Sequence, residues 1–173
     1  MQQLRKKMQP ILEIIKQKIL SSYTLEKEIR RWNFLSKKIV FTNGCFDILH
    51  LGHIDYLSKA ADLGDILIIG VNTDEGVARL KGPSRPICDQ TQRTMILASL
   101  HIVDAVVLFN EDTPYELIKV VQPDVLVKGA DYKPDDIVGY DIVKAKNGIV
   151  TTIEYLPGYS TSEIESKIKG NLK

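Results

Sequence analysis

The chain is poor in the features that mark several large classes of protein. Of its 173 residues only Cys45 and Cys88 are cysteines, in no metal-binding or redox spacing, which indicates free thiols in a reducing cytoplasm. Its 23 basic and 22 acidic residues leave a net charge of +1 without a basic stripe, so no nucleic-acid partner is expected. No run is long and apolar enough to cross a membrane, and the charged N-terminus does not resemble a signal peptide, so no membrane partner is expected.

What is present divides into two parts. Residues 1–36 are charged, lack glycine and are predicted to form an N-terminal helical extension. Its apolar residues recur at helical spacing: Leu4, Met8, Ile11, Ile15 and Ile19, then Leu25, Ile29 and Trp32. They fit packing on the domain's own surface, which we favour slightly, or a homodimer interface. Residues 37–173 are predicted to form one domain.

Strand and helix patterns alternate from residue 37 onward. Five strands are predicted, at 39–41, 65–71, 103–109, 124–127 and 149–155. Helices are predicted at 50–63, from Asp89, at 114–121, at 138–146 and from 160 or 161 to 170, with a polar loop after the second strand. The helix after Asp89 has a predicted inner face of Met95, Ile96, Ser99 and Leu100. The pattern predicts an open parallel α/β sheet of about five strands with helices on both faces.

Residues 43–53 combine a strand end, a glycine-containing turn and a helix start. Gly44 permits turn conformations that other residues resist. A helix opens near His50, and its first amides have no partner within the helix and carry partial positive charge. Gly52 removes a side chain where a ligand could approach the backbone. The stretch therefore predicts an anion-binding turn.

His50 and His53 are three residues apart, so they share one face of the predicted helix. Both could donate hydrogen bonds to a phosphate and stabilise charge that develops on it during reaction. Two other interpretations stay open: the pair could cap and pack the first turn, or ligate zinc with Cys45 or Asp47. No His-Glu-x-x-His or paired-cysteine pattern accompanies them, so phosphate handling ranks first and metal ligation last.

The pattern Gly-x-Phe-Asp-x-x-His-x-Gly-His, which begins at Gly44, resembles the signature of the cytidylyltransferase-like nucleotidyltransferases. This superfamily has a Rossmann-like fold, and its members join a nucleoside triphosphate to a phosphorylated small molecule and release pyrophosphate. The resemblance implies that His50 and His53 contact the triphosphate and stabilise the pentavalent transition state at the α-phosphorus. Magnesium is implied by the triphosphate chemistry.

Polar residues follow each predicted strand, at 43–53, 72–74, 110–112, 128–132 and 158–162. Parallel sheets bind ligands beyond the carboxyl ends of their strands, so these loops are expected to converge on one site. Lys81 and Arg85, ordinary surface charges if taken alone, could neutralise β- and γ-phosphates there. Arg93 could reach the same phosphates, or only pair with Asp89 or Glu111.

Hydroxyls and carboxylates complete the predicted site. Ser160 and Thr161 begin the last helix, where one hydroxyl can cap the helix while another binds phosphate. Asp131 could contact the nucleoside or be a solvated turn residue, and Asp47 could orient a histidine or assist magnesium. The predicted catalytic residues are His50, His53 and Lys81; the nucleotide-binding residues are Asn43, Gly44, Cys45, Phe46, Gly52, Arg93, Asp131, Ser160 and Thr161; further substrate or metal contacts are Asp47, Asp74, Arg85 and Lys128.

Residues 81–86, 92–93, 127–134 and 159–162 extend the resemblance, over residues 38–168, to the adenylyltransferase domain of ADP-heptose synthase. This branch implies transfer of AMP from ATP to heptose 1-phosphate, with Mg²⁺, for lipopolysaccharide core synthesis. It also allows a homodimer, here in a stand-alone form whose sugar kinase is a separate protein. Glycerol-3-phosphate cytidylyltransferases carry an arginine before the last helix that residues 156–161 lack. That branch, FAD synthetases and a non-catalytic nucleotide-binding module remain alternatives.

Overall fold

The computed structural model describes residues 9–130 and 133–170, which form six strands and eight α-helices. The strands are β1 (Ile19–Leu20), β2 (Ile39–Gly44), β3 (Ile66–Asn72), β4 (Ala105–Phe109), β5 (Val125–Gly129) and β6 (Ile149–Ile153). The helices are α1 (Ile11–Gln17), α2 (Ser22–Phe34), α3 (Leu51–Ala61), α4 (Asp74–Lys81), α5 (Gln90–Ser99), α6 (Tyr115–Val121), α7 (Tyr140–Ala145) and α8 (Thr161–Gly170), with a 3-10 turn at Pro134–Asp136. Within the described ranges, no helix is long and apolar enough to cross a membrane.

The six strands form one parallel sheet in the order β1-β4-β3-β2-β5-β6. Strand β2 is central: the chain adds β3 and β4 on one side of it and β5 and β6 on the other. The strand order therefore reverses between β2 and β5, and this is where an open α/β sheet forms its ligand crevice. The predicted Rossmann-like parallel sheet is confirmed.

Two apolar clusters cover the two faces of the sheet, because successive strand residues point to opposite sides. On one face Phe41 and Ile68 pack in a cluster with Leu25 and Trp32 of α2 and Ile118 of α6. The opposite face has its own cluster, which joins Val40, Leu67 and Ile69 to Leu57 of α3 and Leu97 of α5. Each such fully buried side chain stabilises the fold by about 1.5–3 kcal/mol.

The N-terminal segment contributes to the sheet as well as to its cover. Ser21 caps α2 through a hydrogen bond from the Thr24 amide, and Leu25, Ile29 and Trp32 are buried in the domain's own core. Between α1 and α2, residues 19–20 pair with β4 as a sixth strand. The prediction that Ile19 lies on a helical face was therefore wrong. The division between residues 1–36 and 37–173 remains a prediction, as does the dimer.

Two local predictions after β3 were also wrong. The expected polar loop is the helix α4, whose N-cap Thr73 accepts a hydrogen bond from the Gly76 amide, so Lys81 ends a helix. In α5 the buried face is Arg93, Thr94, Leu97 and Ala98, whereas Ile96 and Ser99 are exposed. The inner face was predicted from the apolar residues of α5, but the polar side chains of Arg93 and Thr94 are buried there instead.

Candidate active site

A cavity of about 670 Å³ lies at the carboxyl ends of the central strands. Most of the predicted site lines it: Asn43, Gly44, Cys45, Phe46, Asp47, His50, Gly52, His53, Lys81, Lys128, Ser160 and Thr161. These residues come from the β2–α3 turn, the end of α4, the end of β5 and the start of α8. The predicted convergence is confirmed for four of the five loops, whereas the loop at residues 110–112 does not line the cavity.

The two histidines lie at the start of α3, where His50 is the N-cap. Their rings stack with centroids 3.9 Å apart, and the ring of Phe46 lies 5.4 Å from that of His53. The His50 amide donates to Nδ1 of His53 over 3.4 Å. Because Nδ1 accepts, the proton of the neutral His53 ring is on Nε2, from which it can be donated to a ligand.

The surroundings of both histidines disfavour their charged forms. Burial lowers the pKa of His53 to about 4, and the neighbouring His50 and Lys81 lower it further in the same direction. Burial also lowers the pKa of His50, while Glu163 acts against that shift. Positive charge in the cavity therefore comes from Lys81, Lys128 and the N-terminal end of α3, and the imidazoles supply hydrogen bonds.

Gly44 and Gly52 leave room for groups that pack close to their Cα atoms. A Cβ on Gly44 would lie 3.0 Å from the Phe46 ring, and the left-handed residue of the turn is Phe46 itself, with φ of 47°. The prediction that Gly44 supplies the special turn conformation was wrong. At Gly52 a Cβ would lie 3.0 Å from the Tyr159 carbonyl oxygen. The backbone that approaches Gly52 in the structure is therefore the segment leading into α8.

Asp47 is tied to the loop between α4 and α5. Its carboxylate, only 4% exposed, accepts hydrogen bonds from the amides of Ile87 and Cys88 and from Arg85. Burial pushes the pKa of Asp47 upward, but these donors together hold it below its ordinary value. Arg85 does not line the cavity, so its predicted contact with substrate is absent from this arrangement.

Arg93 does not reach the cavity either. Its side chain is fully buried and donates to the carbonyl oxygens of Cys45, Asn72 and Cys88. It also pairs with Asp74 over 2.8 Å. Its predicted role as a phosphate ligand was therefore wrong for this conformation, since its donors already serve four protein acceptors. The guanidinium instead joins the ends of β2 and β3 to the loop before α5.

The remaining predicted residues take varied positions. Ser160 forms a reciprocal cap with Glu163, in which its hydroxyl accepts from the Glu163 amide over 3.1 Å. The Sγ of Cys45 lies 3.8 Å from Oδ1 of Asn72, and burial raises the pKa of its thiol. Asp131 lies outside the described residues.

Five cavity residues were missed: Tyr56, Leu80, Tyr155, Leu156 and Glu163. Asn72, Gly129, Gly158 and Tyr159 also line the cavity and belong to loops that the sequence analysis placed at the site. Tyr56 follows His53 by three residues, and its hydroxyl lies 2.7 Å from that of Thr42, so helical spacing could have found it. The side chain of Tyr155 lies against Gly129, a contact between two strand ends that sequence spacing does not predict.

Two observations bear on bound groups. Oδ1 of Asn43 is buried at the cavity and has no hydrogen-bond partner among the described residues. Nowhere in the described ranges do three or more His, Cys, Asp or Glu side chains gather so that they could hold a metal ion.

Comparison with known proteins places these features in a family. Residues 41–167 match the family described as cytidylyltransferase-like. The chain is 52% identical over 155 residues to the bifunctional protein HldE of Wolinella succinogenes, covering 90% of this chain and 32% of that protein. It is 59% identical over 133 residues to the protein of the same name from Nitratiruptor sp., covering 77% of this chain and 28% of that protein. The chain thus spans about a third of the length of these curated relatives.

Two solved structures are similar in fold. The lipopolysaccharide core biosynthesis protein from Thermoplasma volcanium superposes with a TM-score of 0.57 at 32% identity, covering 69% of this chain and 97% of that one. The pantoate-beta-alanine ligase from Francisella tularensis superposes with a TM-score of 0.59 at 19% identity, covering 87% of this chain and 76% of that one. The second similarity concerns the fold alone.

Proposed function

The chain belongs to the cytidylyltransferase-like family, and from this premise we propose that it transfers AMP from ATP to a sugar 1-phosphate and releases pyrophosphate. The observation that carries the proposal is the stacked pair His50 and His53 at the start of α3, facing a cavity that Lys81 also lines. A neutral donor pair beside a cation suits a triphosphate whose charge shifts during reaction.

In the proposed reaction an oxygen of the sugar phosphate attacks the α-phosphorus of ATP in line. The new P–O bond forms as the bond from the α-phosphorus to the bridging oxygen breaks, and pyrophosphate leaves with that electron pair. A phosphate monoester is already ionised at neutral pH, so the attack requires no general base. Positioning and charge stabilisation then supply the catalysis.

Each group has a distinct part in this proposal. Nε2–H of His53 and the ring of His50 donate to oxygens of the α-phosphate, with the amides of α3 behind them. Lys81 stabilises charge on the departing pyrophosphate, and Mg²⁺ arrives with ATP as part of the substrate. The unpartnered Oδ1 of Asn43 suits a hydroxyl or amino group of a ligand, because phosphates at neutral pH offer acceptors.

For the acceptor we propose heptose 1-phosphate, which would give ADP-heptose. The support is the similarity to the proteins named HldE and to the lipopolysaccharide core biosynthesis protein, together with the missing arginine of the glycerol-3-phosphate branch. A cytoplasmic location, a homodimer and a separate sugar kinase remain predictions.

The test is pyrophosphate release with Mg²⁺, crossing ATP, CTP, GTP and UTP with heptose 1-phosphate, glycerol 3-phosphate and FMN. Release with ATP and heptose 1-phosphate alone is expected. CTP with glycerol 3-phosphate, or ATP with FMN, would keep the mechanism but refute the acceptor. Nucleotide binding without turnover of any pair would favour a binding module.

Two histidine variants test the catalytic assignment. His53→Ala should lower kcat/KM about 100- to 1000-fold, as loss of a transition-state hydrogen bond does elsewhere. His101→Ala, at an exposed histidine, is the matched control and should retain activity. A folded His53→Ala protein with activity near that of the wild type would contradict the assignment.

A further inference from the structure

The start of helix α8 lines the cavity, but the helix is attached to the domain with little burial. It contains no buried residue, and it follows a turn in which Gly158 has φ of 82°. Its start nevertheless lies at the site, where Ser160 and Thr161 line the cavity and the Tyr159 carbonyl approaches Gly52. Since no buried apolar side chain anchors α8, another interaction must fix the position of its start relative to α3.

Arg85 provides such a connection. Its guanidinium pairs through Nη1 with Asp47 over 2.6 Å and through Nη2 with Glu165 of α8. The side chains of Arg85, Asp47 and Glu165 are 17%, 1% and 21% exposed. Among the residues that the structure describes, no other salt bridge joins α8 to the rest of the domain.

Asp47 holds one side of this bridge in place. The Asp47 carboxylate accepts hydrogen bonds from the amides of Ile87 and Cys88. A carboxylate fixed in this way orients the Arg85 guanidinium toward Glu165. Limited solvent around the three side chains makes their attraction stronger than that of an exposed pair. Because Asp47 belongs to the same turn as His50 and His53, the bridge relates α8 directly to the histidine pair.

We propose that Arg85 is a positioning residue that fixes α8 over the bound nucleotide. By holding Glu165 it sets the place of Thr161 and of the first α8 amides relative to His50. This role explains why Arg85, which is close to the cavity, pairs with the carboxylates of Asp47 and Glu165 and does not point into the cavity. The kinetic part of the proposal rests on the proposed adenylyl transfer, whereas the structural part does not.

The experiment compares Glu165→Gln, Arg85→Gln, the double variant and Arg85→Lys. Hydrogen exchange of the peptide covering residues 161–170 reports on α8 directly, and steady-state kinetics report on ATP. The matched control is Glu116→Gln, which breaks an exposed pair with Lys119 at 3.7 Å.

We expect Glu165→Gln and Arg85→Gln to speed exchange in α8 and to raise the KM for ATP, each about tenfold, with a smaller change in kcat. The double variant should be no worse than Arg85→Gln, because both changes remove the same link. Arg85→Lys keeps the charge and should recover part of both effects. Glu116→Gln should match the wild type.

Unchanged exchange of α8 in Glu165→Gln would overturn the proposal. A raised KM without faster exchange would also overturn it, since Arg85 would then act on the nucleotide itself. If Arg85→Gln does not fold because Asp47 loses its counter-charge, Glu165→Gln still decides, as it leaves that pair intact. A wild-type protein without adenylyl transfer would refute the proposed function, and the exchange measurement would still test the bridge.

Discussion

Burial of His53 makes the stability of the fold depend on pH. The pKa of this ring is about 4 in the folded protein and 6.5 in an unfolded chain. Between these values the unfolded chain binds a proton that the folded chain does not, so protonation favours unfolding. Stability should therefore be fully present above about pH 6.5 and should fall as the pH is lowered toward 4.

The size of the effect follows from the two pKa values. One pKa unit corresponds to 1.36 kcal/mol, so at about pH 4.5 the ring lowers the free energy of unfolding by about 2.5 kcal/mol relative to pH 7.5. Because His53 is only half-buried, solvent reduces this, and about 1–2.5 kcal/mol is expected. Asp47, whose pKa is held below the ordinary carboxyl value of 3.8, loses its contacts at lower pH than the range in which His53 acts.

The assay is urea unfolding of the wild type and His53→Gln at several pH values from about 4.5 to 7.5. The wild type should lose about 1–2.5 kcal/mol more than the variant over this range. His50 adds a smaller component of the same sign, which the variant retains. His101→Gln, at an exposed position, is the control and should follow the wild type. Parallel pH profiles for the wild type and His53→Gln would refute the reasoning.

Two further substitutions test the packing around the site. Gly129→Ala would place a Cβ in the space of the Tyr155 hydroxyl, so the Tyr155 side chain would have to move. Because this side chain is exposed, we expect the free energy of unfolding to stay within about 1 kcal/mol of the wild-type value. The KM for ATP should nevertheless rise several-fold, because both residues line the cavity. Arg93→Gln should destabilise the protein by about 3–5 kcal/mol, seen as a melting temperature lower by about 10 °C, because it leaves Asp74 and three carbonyls without their donor. Arg79→Gln, which breaks an exposed ion pair, should change stability by less than about 1 kcal/mol, and an equal effect of both arginine variants would contradict the assigned role.

The sheet and the main site could be predicted because both follow from simple rules. Residues 39–41 and 66–71 are uninterrupted apolar runs, the pattern of strands buried on both faces, and both lie at the centre of the sheet. Once the strands are parallel, their carboxyl ends meet at one edge, so His50, Lys128 and Thr161 converge without any knowledge of distances.

What could not be predicted depends on pairing across the sequence. Arg93 was predicted to bind phosphate, and only the three carbonyls and Asp74 around it make its burial favourable. Arg85 similarly faces Glu165, which lies 80 positions away and carries no sequence signal of the contact. The strand at residues 19–20 is too short for a period-2 pattern and exists because β4 offers it a free edge.

The strand order also determines when the crevice can exist as the chain is synthesised. Val40 pairs with Val125 and Ile19 with Val106, so these pairings close loops of about 85 residues. Long loops form slowly, because the chain loses the entropy of closure before the new contacts compensate. The crevice between β2 and β5 can form only after residue 129, the end of β5, has been synthesised, about 75 residues after His53. We therefore expect that a nucleotide cannot stabilise the early part of the growing chain and that ligand binding requires both halves of the sheet.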